Sequence, residues 1–171
     1  IGGYAMTVIT NRGMLNFEAD ASLGGEVANH GAGETFDHQP LAAGTMRIGP
    51  GAHVQANNII RNEGLVVVEE QGFLDGFGDF IQRAGELRVD GDMTQGLVHI
   101  LGGSLTGSGE VIAPQLLIGE GAALVPGGDG SIAQLSLFGD ADIAGTVLID
   151  IEDEQSFDRV LAGTVSFEEG A

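Results

Sequence analysis

Asn62-Glu63-Gly64-Leu65-Val66-Val67-Val68 and Arg83-Ala84-Gly85-Glu86-Leu87-Arg88-Val89 are the two stretches on which the reading of this chain turns. Each sets a glycine immediately before a short run suited to a β-strand, and in the second run apolar and polar residues alternate. Asn11-Arg12-Gly13-Met14-Leu15-Asn16-Phe17 has the same form, and Gly103-Ser104-Leu105 and Gly121-Ala122-Ala123-Leu124 are shorter echoes. The steps between the glycines are regular: 21 residues from Gly64 to Gly85, then 18 to Gly103 and 18 to Gly121. Upstream, Gly13 to Gly33 is 20 residues and Gly33 to Gly51 is 18, but Gly51 to Gly64 is only 13. Ile60, Ile81, Ile100 and Ile118 form a second series in step with the first.

A period near twenty residues is the mark of a solenoid. One coil of two or three short strands cannot bury its inward side chains alone. The next coil, stacked about 4.8 Å above, supplies parallel hydrogen bonds and apolar cover. Glycine belongs at the corners, where the backbone needs positive φ and a side chain would strike the neighbouring coil. The period therefore predicts an all-β chain, a parallel β-helix of roughly eight coils. Helical spacing of apolar residues is nowhere sustained.

Composition agrees. Glycine supplies 30 of 171 residues, against an ordinary share of about 7%. With 4 Pro and no three-residue period, collagen is excluded. Aliphatic residues must fill the interior, since there are 8 Phe, 1 Tyr and no Trp. The chain reads as one unit, residues 1–171: irregular coils over 1–56 with a side loop near 24–40, regular coils over 57–125, and closing coils over 126–171. In the closing part, Val147-Leu148-Ile149-Asp150-Ile151 reads as a strand, and the longer apolar runs suggest hairpins capping the stack.

The net charge of −19 arises from 25 acidic residues against 6 arginines and no lysine. Such a chain repels phosphate backbones and anionic lipid, so nucleic-acid partners are excluded and membrane insertion is not expected. Cysteine is absent, which removes disulfides and thiolate chemistry. No secretory leader is visible in Ile1-Gly2-Gly3-Tyr4, and no apolar run is long enough for a membrane helix.

The stretch Gly102-Gly103-Ser104-Leu105-Thr106-Gly107-Ser108-Gly109-Glu110-Val111 resembles the coils of autotransporter-type passenger β-helices and related secreted bacterial surface solenoids. The later series, Val125-Pro126-Gly127, Ile132 to Leu137, Gly145 to Ile151 and Asp158 to Val165, is similar in style. The resemblance covers residues 57–167 well and 1–56 loosely. It implies a right-handed helix, export to the extracellular surface, and a structural or adhesive role. The partners it implies are other protein chains, cell-surface or matrix components, or further copies of this chain. The chain departs from that style in its charge and its short interval.

Candidate sites are few. Glu69 and Asp90 each lie five places after a repeat glycine and are expected to stack on one face. Asp75, Asp79, Asp92, Asp140 and Asp142 fall near turns. Ca²⁺ is the one cofactor such carboxylates suit, but turns favour Asp in any case, and solvated turn residues are the stronger reading. The metal ligands are left unassigned. Gly127-Gly128-Asp129-Gly130-Ser131-Ile132 misses the calcium-binding glycine-rich nonapeptide, since Ile stands where its Asp belongs. His30, His38, His53 and His99 show no metal-ligand spacing.

No catalytic or cofactor-binding residue is assigned. The main enzymatic alternative is a polysaccharide lyase or hydrolase built on Arg88, Asp90 and Asp92, against which the scarcity of aromatic sugar platforms counts. A hexapeptide-repeat acyltransferase is a second, from Arg47-Ile48-Gly49-Pro50-Gly51-Ala52-His53-Val54, but the six-residue beat does not persist. Without lysine no phosphate loop forms, and Gly107-Ser108-Gly109 lacks the flanking glycine spacing of a nucleophile elbow. A self-assembling filament or matrix subunit, joined through solenoid ends, is the main non-enzymatic alternative.

Overall fold

The computed structural model describes residues 8–34, 40–41, 43–128 and 130–167. Among these the protein is all-β, and 17 strands belong to one continuous sheet. Within that sheet every strand pairing is parallel, and the chain returns to pair with itself after each three strand segments, a pattern that fits a β-solenoid.

Three ladders result. The first runs through β1 (Val8–Asn11), β4 (Glu26–Asn29), β9 (Ile60–Asn62), β12 (Asp79–Gln82), the opening of β15 (Leu97–Gly107), the middle of β16 (Glu110–Pro126), and the ends of β17 (Gln134–Ile143) and β19 (Arg159–Phe167). The second joins β2 (Met14–Phe17), β7 (Thr45–Ile48), β10 (Leu65–Val68), β13 (Glu86–Val89), the later parts of β15 and β16, and β18 (Thr146–Val147). The third joins β3 (Ala21–Leu23), β8 (His53–Ala56), β11 (Phe73–Asp75), β14 (Asp92–Thr94) and the openings of β16, β17 and β19.

Alternation drives this arrangement. In β7 and β10 the second and fourth residues are buried and the others only half so. Parallel register then stacks like on like. Met46, Val66, Leu87, Leu105 and Leu124 form one inward column, and Val54, Leu74, Met93, Val111 and Leu137 another. Each large aliphatic side chain so buried contributes about 1.5–3 kcal/mol.

The repeat glycines mark one corner, and the register corrects three of their positions. Gly33, Gly51 and Gly121 are not in the corner column: Gly121 aligns with Gly102, and Ala122 stands beside Gly103. Gly44 is in it, because Thr45 aligns with both Met14 and Leu65. The column is Gly13, Gly44, Gly64, Gly85, Gly103, Ala122 and Gly145. The anomalous 13-residue interval therefore came from counting a glycine on another turn. The extra length lies between β4 and β7, where β5 (Gly33–Glu34) and β6 (Pro40–Leu41) form a small antiparallel pair. The side loop expected near 24–40 thus begins later, because Glu26–Asn29 is a ladder strand; residues 35–39 lie outside the described part.

At Gly85 the corner logic is explicit. Its φ is +78°, and a Cβ would fall 1.9 Å from the Gly64 carbonyl oxygen. Gly103 repeats this one turn on, with φ +77° and a Cβ position 2.0 Å from the Gly85 oxygen.

The isoleucine series also needs correction. Ile60 aligns with Phe80 and Val98, whereas Ile81 aligns with Arg61 and His99 on the outward side. Ile100 and Ile118 belong to a different inward column, which continues downward as Gln82, Asn62, Asn29 and Asn11. Sequence reading missed this polar ladder. Asn11 Nδ2 donates to Asn29 Oδ1 at 2.8 Å, Asn29 Nδ2 to Asn62 Oδ1 at 2.7 Å, and Asn62 Nδ2 to Gln82 Oε1 at 2.9 Å. Each amide also donates to a carbonyl beyond the corner, as Gln82 Nε2 does to Ser104 O at 2.9 Å. A buried polar group costs little when its partners are supplied in this way.

The last third departs from expectation as well. β17 and β19 pair in parallel, so hairpins do not close the stack. Of Val147–Ile151 only Val147 is in a strand, and 148–158 is a loop holding the isolated antiparallel bridge between Ile151 and Phe157. Strands are longer here because corners are crossed by register shifts, at Ile100/Gly102, Ile112/Gln115 and Leu137/Asp140, without a break in pairing.

Candidate functional site: a charged trough on the second ladder

The outward side of the second ladder carries three columns of side chains. Thr45, Leu65, Glu86 and Ser104 form one, and Asn16, Arg47, Val67, Arg88 and Thr106 the next. In the third, Glu69 aligns with Asp90 one rung up, since Val68 pairs with Val89 immediately before them. The expected stacking of Glu69 and Asp90 is therefore present.

Tall side chains next to short ones hollow this face. One depression of about 670 Å³ is floored by Leu65 and Val67 and walled by Glu69, Glu70, Glu86, Arg88 and Asp90. Past Glu86, which borders both, a second of about 620 Å³ continues over Ser104, Thr106 and Val125 to Leu148, Ile149 and Asp150. The two adjoin at Glu86 and, taken together as a trough, lie over successive rungs.

Its upper lip is a pair of loops. The Asp158 carboxylate, only 3% exposed, accepts the N–H of Ala133 at 2.8 Å and of Asp150 at 2.9 Å. Asp150 in turn accepts the Gly130 N–H at 2.8 Å. Loop 148–158 is further closed by Asp153, which accepts the N–H groups of Gln155 and Ser156. Those two bonds, Gln155 first, hold the Asp153 carboxyl below its usual range.

Arg88, which lines the trough, and Arg47, two rungs below it in the same column, are both already engaged. Arg47 Nε donates to Glu69 at 2.6 Å, and its Nη1 donates to Glu18 and, at 2.9 Å, to Asn16. Hydrogen bonding from Asn16 first, then from Arg47, holds the Glu18 carboxyl below its usual range; Glu69 and Glu18 in turn raise the Arg47 guanidinium. Arg88 Nε donates to Asp90 at 2.6 Å, Ser108 Oγ reaches the same carboxylate at 3.3 Å, and Thr106 Oγ1 donates to Glu86 at 2.7 Å. Among the described residues no cation pairs with Glu70, Glu86 or Asp150. The site is rich in acceptors, apolar on its floor, and negative overall.

The remaining candidates disperse. Asp92 lies on the third ladder between Phe73 and Glu110, so it does not join Arg88 and Asp90; Gly91 turns the chain between them. Asp75 is on the third ladder, 3.0 Å from His53 Nε2, while Asp79, Asp140 and Asp142 face outward on the first. His30 is 3.9 Å from Glu63, His99 sits between Ile81 and Leu117, and His38 lies outside the described residues. Among the described residues no group of three or more His, Cys, Asp or Glu is placed to hold a metal ion. Ser108 of Gly107-Ser108-Gly109 is on the trough wall. Sequence reading found the Glu69–Asp90 stack but missed the loop lip, whose only sequence signal is the surplus of residues between Gly127 and Asp158.

Fold and site together define an all-β chain of stacked parallel rungs with an acidic trough along one side. No family model, curated protein or solved structure matches the chain.

Proposed function

We propose that this chain is a right-handed parallel β-helix of roughly eight coils that serves as a structural or adhesive scaffold on the extracellular surface of a bacterium. The observation that supports this reading best is the continuity of three parallel ladders, in which each rung rests on the next through matched inward side chains. Such a stack is stiff along its axis and leaves its outward columns free to vary. Its partners are other protein chains or matrix components, and the reading requires no resident cation and no reaction. Two measurements test it. Antibody labelling of intact cells of the source organism should decorate their outside, and small-angle scattering should give an elongated particle. Labelling only after lysis would remove the surface role.

Self-assembly is a second reading, favoured by the last described strand. Val165 and Phe167 of β19 are exposed, and beside them an apolar cleft of about 140 Å³ opens among Leu124, Ile143, Val147 and Val160. Among the described residues β19 pairs only with β17, and a strand edge over apolar side chains invites another rung. Sedimentation over a range of concentrations should then show growing species for the wild type and none for Phe167→Asp. A monomer at every concentration refutes self-assembly and leaves the scaffold reading in place.

A further inference from the structure

We propose that the trough on the second ladder docks an extended basic peptide segment of another protein, with lysine or arginine interspersed among apolar residues. The inference deepens the adhesive reading by giving it a surface and a partner chemistry. Three observations converge on it. Two concave depressions adjoin at Glu86 over several successive rungs, which suits an extended chain more than a compact ligand. Its floor and lip are apolar, with Leu65, Val67 and Val125 half-buried and Leu148 and Ile149 exposed at 52% and 40%. Its charge is one-sided: Arg47 and Arg88 are each bonded to carboxylates, while Glu70, Glu86 and Asp150 have no cationic partner among the described residues.

Charge complementarity selects the occupant. An acidic polymer would be repelled by these three carboxylates and would gain nothing from arginines already bonded. A basic segment would pair with them at the wall while its apolar side chains cover Leu148 and Ile149. The lip is preset for this, since the buried Asp158 carboxylate holds both loops through part-buried hydrogen bonds, so little ordering cost falls on the scaffold.

Three labelled peptides of equal length test the proposal by fluorescence anisotropy at physiological ionic strength: alternating Lys and Val, alternating Lys and Ser, and alternating Glu and Val. The whole chain should bind the first, bind the second several-fold more weakly, and not bind the third. Glu70→Gln with Glu86→Gln should weaken Lys–Val binding about tenfold, the scale expected for two exposed ion pairs. Asp140→Asn with Asp142→Asn removes the same net charge from the first ladder and should change binding less than about twofold. Leu148→Ser should weaken Lys–Val binding but leave Lys–Ser binding unchanged. Circular dichroism identical to wild type establishes that each variant is folded. Equal losses in the two charge variants would reduce the effect to the overall charge of −19 and overturn the proposal. So would equal affinity for the Lys–Val and Lys–Ser peptides, or no binding of either. Neither failure touches the cell-surface labelling on which the scaffold reading stands.

Discussion

Replacing Asn62 by Leu probes what holds the early rungs together. Asn62 is fully buried and sits at the middle of the polar ladder. Its Oδ1 accepts from Asn29 Nδ2 at 2.7 Å and from the Gly64 N–H at 3.1 Å; its Nδ2 donates to Gln82 Oε1 at 2.9 Å and to the Glu86 carbonyl at 3.1 Å. Leucine fits the space in principle, since Ile100 and Ile118 occupy the same column higher up. The cost is therefore electrostatic. Asn29 Nδ2 keeps its bond to Leu65 O, but Gln82 Oε1 and the Gly64 N–H lose their partners. Each such orphan costs about 1–3 kcal/mol, and the extra apolar burial returns about 1–2, leaving a net loss centred on about 2–3 kcal/mol and at most about 5. For a chain of this length each kcal/mol lowers Tm by about 2–4 °C. Adding Gln82→Leu removes one of the two orphans, so the double variant should be more stable than the summed single effects predict, by about 1–2 kcal/mol. Urea denaturation followed by far-ultraviolet circular dichroism measures all four corners of the cycle. A single variant as stable as wild type, or strict additivity, would refute the view that the side-chain amides act as one hydrogen-bonded column.

Three further outcomes follow from the structure. Gly85→Ala should lower stability by more than about 1 kcal/mol in the same denaturation assay, because positive φ combines with a Cβ position 1.9 Å from the Gly64 oxygen; Gly13→Ala, which meets nothing within 4 Å, should be near neutral. Gln95→Leu should stabilise by about 1–3 kcal/mol, since Gln95 is 1% exposed and both its amide atoms lack a hydrogen-bond partner among the described residues; a lower urea midpoint would contradict this. Loop 148–158 should resist mild acid: Asp153 has a depressed carboxyl pKa, so its stabilising effect is present above the ordinary value of 3.8 and is lost as pH falls through the lower folded value. Amide exchange at Gln155 and Ser156 should therefore accelerate only below the usual Asp range, and acceleration already near pH 5 would count against the two N–H bonds.

The period was legible because stacking forces each rung to repeat the corner before it. Gly64, Gly85 and Gly103 do lie in one column, and the strands after them do pair in parallel. Gly33 and Gly51 misled because glycine serves several corners, and Gly121 because it lies one residue off the column; only hydrogen-bond register tells one from another. Ile81 misled for a related reason: in a strand the face is set by parity, and one residue of slip turns a side chain outward. The polar ladder was written in the sequence as Asn or Gln two or three places before a corner glycine, at Asn11, Asn62 and Gln82. An alternation that counts only apolar residues passes over it. The trough was half visible. Glu69 and Asp90 announced themselves by equal offset from their glycines, whereas Asp92, two residues from Asp90, lay around a corner that linear distance conceals. Residues 148–151 read as strand in the sequence, but their apolar side chains, Leu148, Ile149 and Ile151, belong to an exposed lip and not to the core.

A chain of net charge −19 wound into rungs roughly 4.8 Å apart faces a difficulty that an ordinary globule does not, since any acidic column brings like charges within a single step of one another. The arginines are placed against that repulsion. Arg47 reaches both Glu18 and Glu69 across neighbouring turns, Arg61 bonds Glu26 at 2.6 Å, and Arg88 bonds Asp90 beside Glu69. Elsewhere several acids are set beside uncharged neighbours, Asp79 against Leu97 and Asp140 against Gln115 on the first ladder and Asp75 against Thr94 on the third, although Asp92 and Glu110 stack directly. Between these two devices the trough stands out. Glu86 aligns with Leu65 below and Ser104 above, and its only side-chain partner among the described residues is a hydroxyl. Its charge is thus kept clear of its own column but left open to the groove. That is the arrangement expected of a carboxylate whose counterion arrives from outside, and it is why the second ladder is the side of the stack on which a basic partner should be sought.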